Sequence, residues 1–353
     1  MIFVARQLLE KAREQRQDLY IAFVDLAKAF DTVNREMLWK IMVKCGCPPK
    51  FMAIIKAFHQ GMSARVCVGG LISDPFDVSI GVKQGCVLAP AIFNLYLSAI
   101  TILARYNIQK EDGIAINYRL DGSLFNLRRL KSKSKVSTSY IFDLQYADDA
   151  AYPAPTPTSL QRSLTAINDA YRAGGMMVNT SKTEILQYHF NAYHGEIPTF
   201  MIEGEELKNV DNFKYLGSIL SSSCDLEPEV QNRVRQASAS FGKLRVRVFT
   251  NRDLSINTKV RVYVAICLSI LLYGSEAWTL YSQQIRRLEA FHIRCLQCML
   301  GITWRDRIPH TNILQLANTT SIESMINPSV ALGWPCYKNA GKSPPPPGSL
   351  WRT

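Results

Sequence analysis

A secretory leader, a disulfide framework, a membrane-length apolar run and an internal repeat are all missing from this sequence. Without a leader, and with nine cysteines that form no paired pattern, the chain reads as the product of a reducing compartment, nucleus or cytoplasm, rather than a secreted scaffold. The apolar stretch 262–273 is too short to span a bilayer and is closed by Glu276, so a buried helix is expected and no membrane partner. Acidic residues are also scarce. There are 29 against 41 Lys and Arg, a net charge of +12 that excludes an acidic protein and favours a polyanionic partner, because Lys and Arg that neutralise phosphates release counterions.

What is present is sharper. In Tyr140-Ile141-Phe142-Asp143-Leu144-Gln145-Tyr146-Ala147-Asp148-Asp149-Ala150-Ala151-Tyr152, two adjacent carboxylates interrupt an apolar strand pattern. The run predicts a hairpin whose two-residue turn is Asp148-Asp149. Neighbouring carboxylates raise each other's pKa, and a divalent cation is the usual compensation. Such a pair alone is most often a solvated turn. Far upstream, Tyr20-Ile21-Ala22-Phe23-Val24 is a buried-type strand ending on a third carboxylate, Asp25. Asn34 then caps a predicted helix through Leu38, Ile41, Met42 and Cys45 that stops at Gly46. A site built from carboxylate oxygens suits Mg²⁺ or Mn²⁺ rather than zinc, and Mg²⁺ keeps waters and substrate phosphates among its ligands.

Between the acidic strand ends lies Gly81-Val82-Lys83-Gln84-Gly85-Cys86-Val87-Leu88-Ala89-Pro90, a turn leading to Pro90 at the start of a helix. Gly85 permits close approach to a ligand, and the Gln84 amide can meet a base or sugar edge. The order of an Asp-bearing strand, a Gln-Gly loop and a Tyr-Ala-Asp-Asp hairpin resembles the reverse transcriptases of non-LTR (LINE-type) retrotransposons. Phe23-Val24-Asp25-Leu26-Ala27-Lys28-Ala29-Phe30-Asp31 matches that family's first palm motif, 81–90 the second and 146–149 the third. Gly175-Met176-Met177-Val178-Asn179-Thr180-Ser181-Lys182-Thr183 looks like the fourth, and Phe213-Lys214-Tyr215-Leu216-Gly217 like the hairpin that grips the primer. Leu271-Leu272-Tyr273-Gly274-Ser275-Glu276 and Phe291-His292-Ile293-Arg294-Cys295-Leu296 resemble segments that follow the palm, so the likeness spans roughly 1–326.

The resemblance implies an RNA-directed DNA polymerase that joins deoxynucleoside triphosphates to a DNA primer 3′-hydroxyl on an RNA template. Two metal ions about 3.5–4 Å apart would stabilise the attacking and leaving oxygens. Asp25 and Asp148 would hold Mg²⁺, with Mn²⁺ an alternative, and Asp149 would complete the site. The backbone from Leu26 to Ala29 would lie under the triphosphate, and Phe30 would exclude a 2′-hydroxyl. Gln84 and Gly85 would touch the incoming nucleotide and template pair. Lys182 would give a proton to the departing pyrophosphate. The bland alternatives are core packing for Phe30 and a solvated cap for Lys182. Basic residues fall in three groups: Arg128, Arg129, Lys131, Lys133 and Lys135; then Arg233, Arg235, Lys243, Arg245, Arg247 and Arg252; then Arg286, Arg287, Arg294, Arg305 and Arg307. Each alone reads as a solvated face. In a polymerase the second and third would track the template–primer backbone.

The implied fold is α+β, a right-hand polymerase palm of antiparallel sheet and packed helices followed by a helical thumb. The expected divisions are 1–220 for the palm with residual fingers, 221–326 for the thumb and its extension, and 327–353 for a Pro-rich disordered tail. The chain begins only 24 residues before Asp25, so the fingers motifs are expected to be largely missing from a truncated copy. The competing reading is a catalytically inactive remnant that retains at most nucleic-acid binding. His292 with Cys295 and Cys298 is the nearest approach to a zinc motif, and structural thiols on a helix are expected there instead.

Overall fold

The structure, a computed structural model, describes residues 1–119, 136–190 and 198–326. Both the basic group at 128–135 and the Pro-rich tail lie outside the described residues. Two compact units emerge. One is built from Lys11–Tyr118 and Ser137–Asp211, the other from Ile2–Glu10 and the residues from Asn212 onward. The hairpin at 212–221 groups with the helices that follow it.

The first unit is organised by β1 (Leu19–Val24), six apolar or aromatic residues that are all buried. It follows helix α1 (Ile2–Gln15), which is closed by Arg16 at φ 55 with its amide returned to Ala12 and Arg13 carbonyls. Strands β2 (Leu144–Tyr146), β3 (Asp149–Ala154), β4 (Glu184–Tyr188) and β5 (Lys208–Val210) complete a sheet in the order β5-β4-β1-β3-β2. Only the β4–β5 pairing is parallel. Burial on both faces explains why β1 shows a continuous apolar run rather than an alternation.

Strand periodicity sends Tyr20, Ala22 and Val24, with Ala150, Tyr152 and Ala154, into one core with helices α2 (Arg35–Lys44), α3 (Pro49–His59), α4 (Ala89–Arg105) and α5 (Pro157–Ala173). The α2 start is as expected: the Asn34 side chain accepts from the Met37 amide. Phe93 and Tyr96 of α4 are fully buried, and truncating such a ring to alanine costs about 3–5 kcal/mol. The buried hydroxyls are satisfied, Tyr96 by the Gly174 carbonyl and Tyr152 by Tyr171, at 2.5 and 2.7 Å. The sequence also suggests a hairpin around Gly69-Gly70 that pairs 66–68 with 76–78. Instead two nested ribbons form: Cys67–Val68 with Leu71–Ile72, and Ser63–Ala64 with Phe76–Asp77. The two glycines, both at positive φ, support the tighter two-residue turn.

The second unit starts with a hairpin of β6 (Asn212–Tyr215) and β7 (Ser218–Ser221) whose turn residues Leu216 and Gly217 both have positive φ. Helices α6 (Glu227–Leu244), α7 (Ile256–Tyr263), α8 (Ser282–Leu300) and α9 (His310–Leu316) follow. The helical stretch Ile256–Ala277 that begins with α7 is 22 residues long, so by length and composition alone it could cross a membrane, contrary to the expectation from 262–273. Its Val260, Tyr263, Cys267, Leu268 and Leu271 are buried in this unit's core. There Phe241 and Phe249 stack at 4.3 Å, and the Tyr263 hydroxyl meets His292 Nδ1 at 3.0 Å.

A charge network secures the hairpin within this unit. Arg233 Nε donates to Glu229 at 2.7 Å, with both side chains buried, and the second Glu229 oxygen accepts from the Ile219 amide at 2.6 Å. Arg6 donates to Ser218 Oγ and the Ile219 carbonyl at 2.8 and 3.0 Å. Removing one partner of such a buried pair leaves an uncompensated charge, which costs about 3–5 kcal/mol.

His292 is the acid-sensitive point of the second core. Burial pushes its pKa from 6.5 down to about 4, only partly opposed by the Thr320 carbonyl at Nε2. The unfolded chain therefore takes up a proton that the native state refuses, and stability falls as pH drops from 6.5 towards 4. The slope approaches about 1.4 kcal/mol per pH unit. Urea midpoints at pH 7, 5.5 and 4.5 are expected to fall more steeply for the native chain than for His292→Gln. Parallel pH profiles would remove His292 as the cause.

Candidate active site

Asp25 lies one step beyond the last paired residue of β1, where Val24 faces Ala150. Continuing that register sets Asp25 opposite Asp149, the first residue of β3. Residues opposed in this way have Cβ atoms about 5 Å apart. The hairpin closes through Tyr146 paired with Asp149, so its two turn residues are Ala147 and Asp148. The sequence expectation of an Asp148-Asp149 turn is thus off by one residue. Ala147, at φ 53, takes the left-handed position that glycine or asparagine usually marks. The shift sets Asp148 at the tip and Asp149 within the strand.

A fourth segment fixes Asp25 from the other side. The Asn179 amide donates to the Asp25 carbonyl at 2.8 Å, and Ala27 N–H donates to Met177 O at 2.9 Å, around an isolated bridge from Leu26 to Val178. Asp25 N–H points to Thr183 Oγ1 at 3.4 Å, while the Thr183 hydroxyl donates to Asn179 O at 2.8 Å. Thr183 is fully buried. Lys182, its neighbour, brings Nζ to 3.7 Å from the Asp25 carboxylate. Both side chains are partly exposed, so this pair contributes little to stability. Its importance is positional.

The electrostatics match a site short of positive charge. Burial, then the charge of Asp148, then that of Asp25 raise the Asp149 pKa above the ordinary carboxylate value. The charges of Asp148 and Asp25 thus both reach Asp149, although among the described residues no three acidic, His or Cys side chains converge into a metal-holding group. An all-oxygen set of this kind fits a hard cation that takes its other ligands from water and phosphate. It does not fit zinc.

The remaining expected site residues divide. The Leu26 side chain is buried in the core, so only its backbone can serve a ligand. Among the described residues the amides of Lys28, Ala29 and Phe30 find no backbone acceptor, and Lys28 has φ 48. Such a run of free amides favours anions. Phe30 is half-buried and stacks on Phe93 at 4.3 Å. Gln84 is exposed, and Gly85 at φ 85 faces open space. Their loop is nevertheless tied to the Asp25 segment: Val82 N–H donates to Phe30 O and Gly81 N–H to Val33 O, at 2.8 and 2.9 Å.

Two residues make this possible: Arg35, which the sequence reading did not single out, and Gly81, which it named only as the start of the loop. Arg35 donates to the carbonyls of Gly81, Ile80 and His59 at 2.8, 3.1 and 2.9 Å. Gly81, at φ 79, runs so close to Asp31 that a Cβ would lie 2.6 Å from the Asp31 carbonyl oxygen. The alternative cluster at His292 is no metal site. Both ring nitrogens are engaged, and burial raises Cys295 to about 12 and keeps it a neutral thiol.

A family model described as reverse transcriptase (RNA-dependent DNA polymerase) matches residues 3–220, a stretch that takes in Asp25, Asp148 and Asp149. Over 300 residues the chain is 22% identical to the RNA-directed DNA polymerase from the mobile element jockey of Drosophila melanogaster, covering 84% of this chain and 30% of that protein. It is 23% identical over 282 residues to the retrovirus-related Pol polyprotein from type-1 retrotransposable element R2 of Popillia japonica, covering 78% of this chain and 41% of that one. The chain thus spans well under half the length of either relative. A solved telomerase from Candida tropicalis, in complex with a fragment of telomeric RNA, covers 93% of this chain and 52% of its own at 11% identity and a TM-score of 0.44, too loose a likeness to carry an argument.

The raised Asp149 pKa has a measurable consequence. A carboxyl titrating above its unfolded value contributes stability at low pH that is lost as pH rises through the folded value. Asp149→Asn is therefore expected to raise the thermal midpoint at pH 7 in chelator, with the difference shrinking below pH 4. Millimolar Mg²⁺ should stabilise the native chain and leave the variant nearly unmoved. A variant no more stable than the native chain at pH 7 would mean that the Asp149 carboxylate is neither penalised by burial nor repelled by its neighbours.

Proposed function

The chain belongs to the reverse transcriptase (RNA-dependent DNA polymerase) family, of the non-LTR, LINE-type retrotransposon kind, and we propose that its Asp25, Asp148 and Asp149 form the centre of an RNA-directed DNA polymerase. The right-hand α+β fold of that family supplies the frame. One observation carries the reading: carboxylates from two distant strand ends are opposed by register, and burial together with the charges of Asp148 and Asp25 raises the Asp149 pKa.

Asp25 and Asp148 would hold the divalent cations, Mg²⁺ or Mn²⁺, with Asp149 completing the set. When bound, the ions supply charge stabilisation to the attacking 3′-hydroxyl and the departing pyrophosphate. The chain's own groups do the rest. The Thr183 and Asn179 contacts hold the Asp25 backbone, so its carboxylate keeps one direction. The free amides after Leu26 receive triphosphate oxygens. Lys182, already beside Asp25, is placed to pass a proton to the leaving group. Phe30 is braced from behind by Phe93 and so presents a fixed edge against a 2′-hydroxyl. Gln84 and Gly85, exposed on a loop anchored to the same segment, meet the nascent base pair. The substrates are an RNA template, a DNA primer and deoxynucleoside triphosphates, met inside the cell.

Extension of a DNA primer annealed to RNA is the direct test. The chain should extend it with Mg²⁺ and not in chelator. Asp148→Ala should lower the rate at least about a hundredfold, the scale on which losing a transition-state charge partner acts. Equal rates for the variant and the native chain would overturn the assignment. Salt-sensitive binding with no extension by the native chain would mark an inactive remnant.

A further inference from the structure

The hairpin that carries Asp148 receives little support from its own sheet. Strand β2 has three residues and lies at the sheet edge, where among the described residues β3 is its only strand partner. A hairpin with so few paired residues is marginal unless something else packs against it. Its tip therefore points wherever the outer strand is held.

Helix α4 does the holding. Register sets Gln145 opposite Ala150, which enters the core shared with α4, so the Gln145 side chain faces the same layer. The Thr101 hydroxyl lies 3.1 Å from the Gln145 side-chain oxygen and 3.0 Å from the Leu97 carbonyl, with one proton for the two. Turning the amide over lets Thr101 donate to Leu97 and accept from Gln145 Nε2, a buried donor otherwise without a partner. In either orientation the two side chains are joined. One turn further along the same helix face, Arg105 Nε and Nη2 both donate to Asp143 Oδ1, at 3.2 and 2.6 Å. The guanidinium also lies over the Phe142 ring, 5.1 Å from its centroid.

The opposite end of α4 grows out of the Gln84 loop, where Ala89 N–H donates to the Cys86 carbonyl at 3.3 Å. Phe93, one turn in, backs Phe30. A single 17-residue helix thus meets the loop, the aromatic edge after Asp25 and the base of the acidic hairpin. We propose that Thr101 and Arg105 are positioning residues, which grip 142–145 and so fix where Asp148 stands relative to Asp25. Neither touches the carboxylates. From Gln145 to Asp148 is three steps, at most about 10 Å, so a swing at the base is carried to the tip. The geometry stands by itself; its consequence for metal binding rests on the polymerase reading. The Arg105 side chain is half-exposed, and an ion pair of this kind adds little to global stability. Losing it loosens the hairpin and leaves the fold intact.

Hydrogen–deuterium exchange of the whole chain in chelator reads the hairpin without any metal. Thr101→Val combined with Arg105→Ala should speed exchange across 144–150 by about tenfold, while α5 exchanges as in the native chain. In a thermal-shift titration the same variant should need about tenfold more Mg²⁺ for half of the full shift, the scale on which losing a group that orients a metal ligand acts. Arg105→Lys alone, which keeps a cation at Asp143, should stay close to the native chain in both measurements. Arg172→Ala, which removes an exposed pair with Glu203 elsewhere in this unit, should change neither. A native chain that takes up no Mg²⁺ would overturn the metal assignment, and exchange would still decide whether the clamp orders the hairpin. Unchanged exchange at 144–150, or faster exchange with the same Mg²⁺ requirement, would overturn the proposal.

Discussion

The antiparallel pairing of β1 with β3 is the constraint on which the site depends. Its register, Val24 against Ala150, decides that Asp25 and Asp149 end up opposed rather than on different sides of the sheet. A slip of one residue would turn every side chain of the strand to the other face, so that Tyr20, Ala22 and Val24 would trade places with Leu19, Ile21 and Phe23 in two close-packed layers shaped for the other set. Tyr20, Ala22 and Val24 on one side, and Ala150, Tyr152 and Ala154 on the other, lock the register by burial. Carboxylates that repel each other can therefore be held together, because hydrophobic packing several residues away forbids their separation. The Asn179 and Thr183 contacts then fix the third direction.

The helices and strands around this pairing were readable for ordinary reasons. The strand of Asp25 is a run of β-forming residues, and α2 announces itself through Asn34. The acidic residues stood out because nothing in local structure asks for them at the ends of apolar strands. The turn was misplaced by one residue for an equally physical reason. Its strained position is occupied by Ala147, which carries no mark of a left-handed conformation, whereas the neighbouring aspartates do. Thr183 and Arg35 were invisible for a different reason. Their roles rest on meeting main-chain groups of other segments, and no local pattern in either stretch encodes those partners. Gly81 could be read as flexible but not as indispensable, since the Asp31 backbone that excludes a side chain arrives from another part of the chain.

Charge patterns in sequence proved less informative than charge patterns in space. The second basic group contains both Arg233 and Arg235, two residues apart, yet one is folded into a buried pair with Glu229 and the other faces a groove. Helical geometry alone separates neighbours this far around the axis. The hairpin of β6 and β7 shows the same economy. Its turn is held by Arg233, which also lies over the Tyr273 ring at 4.6 Å, while the Tyr273 hydroxyl donates to the Leu216 carbonyl at 2.9 Å. A cation read as a surface feature thus becomes an internal brace.

The place of β1 in the sheet also sets a clock. Its two neighbours are β3 and β4, and the latter pairs Tyr188 with Leu19. A nascent chain emits this central, wholly apolar strand long before either partner exists. At ribosomal speeds of about 5–20 residues per second, the gap to β4 lasts roughly ten to thirty seconds. Until β3 is made the six buried-type residues have nothing of their own sheet to pair with, and the second edge of the strand stays open until β4 follows. Synthesis of this chain therefore creates a standing demand for something that shields an apolar strand. The same central position that makes the finished site rigid makes its assembly slow and exposed.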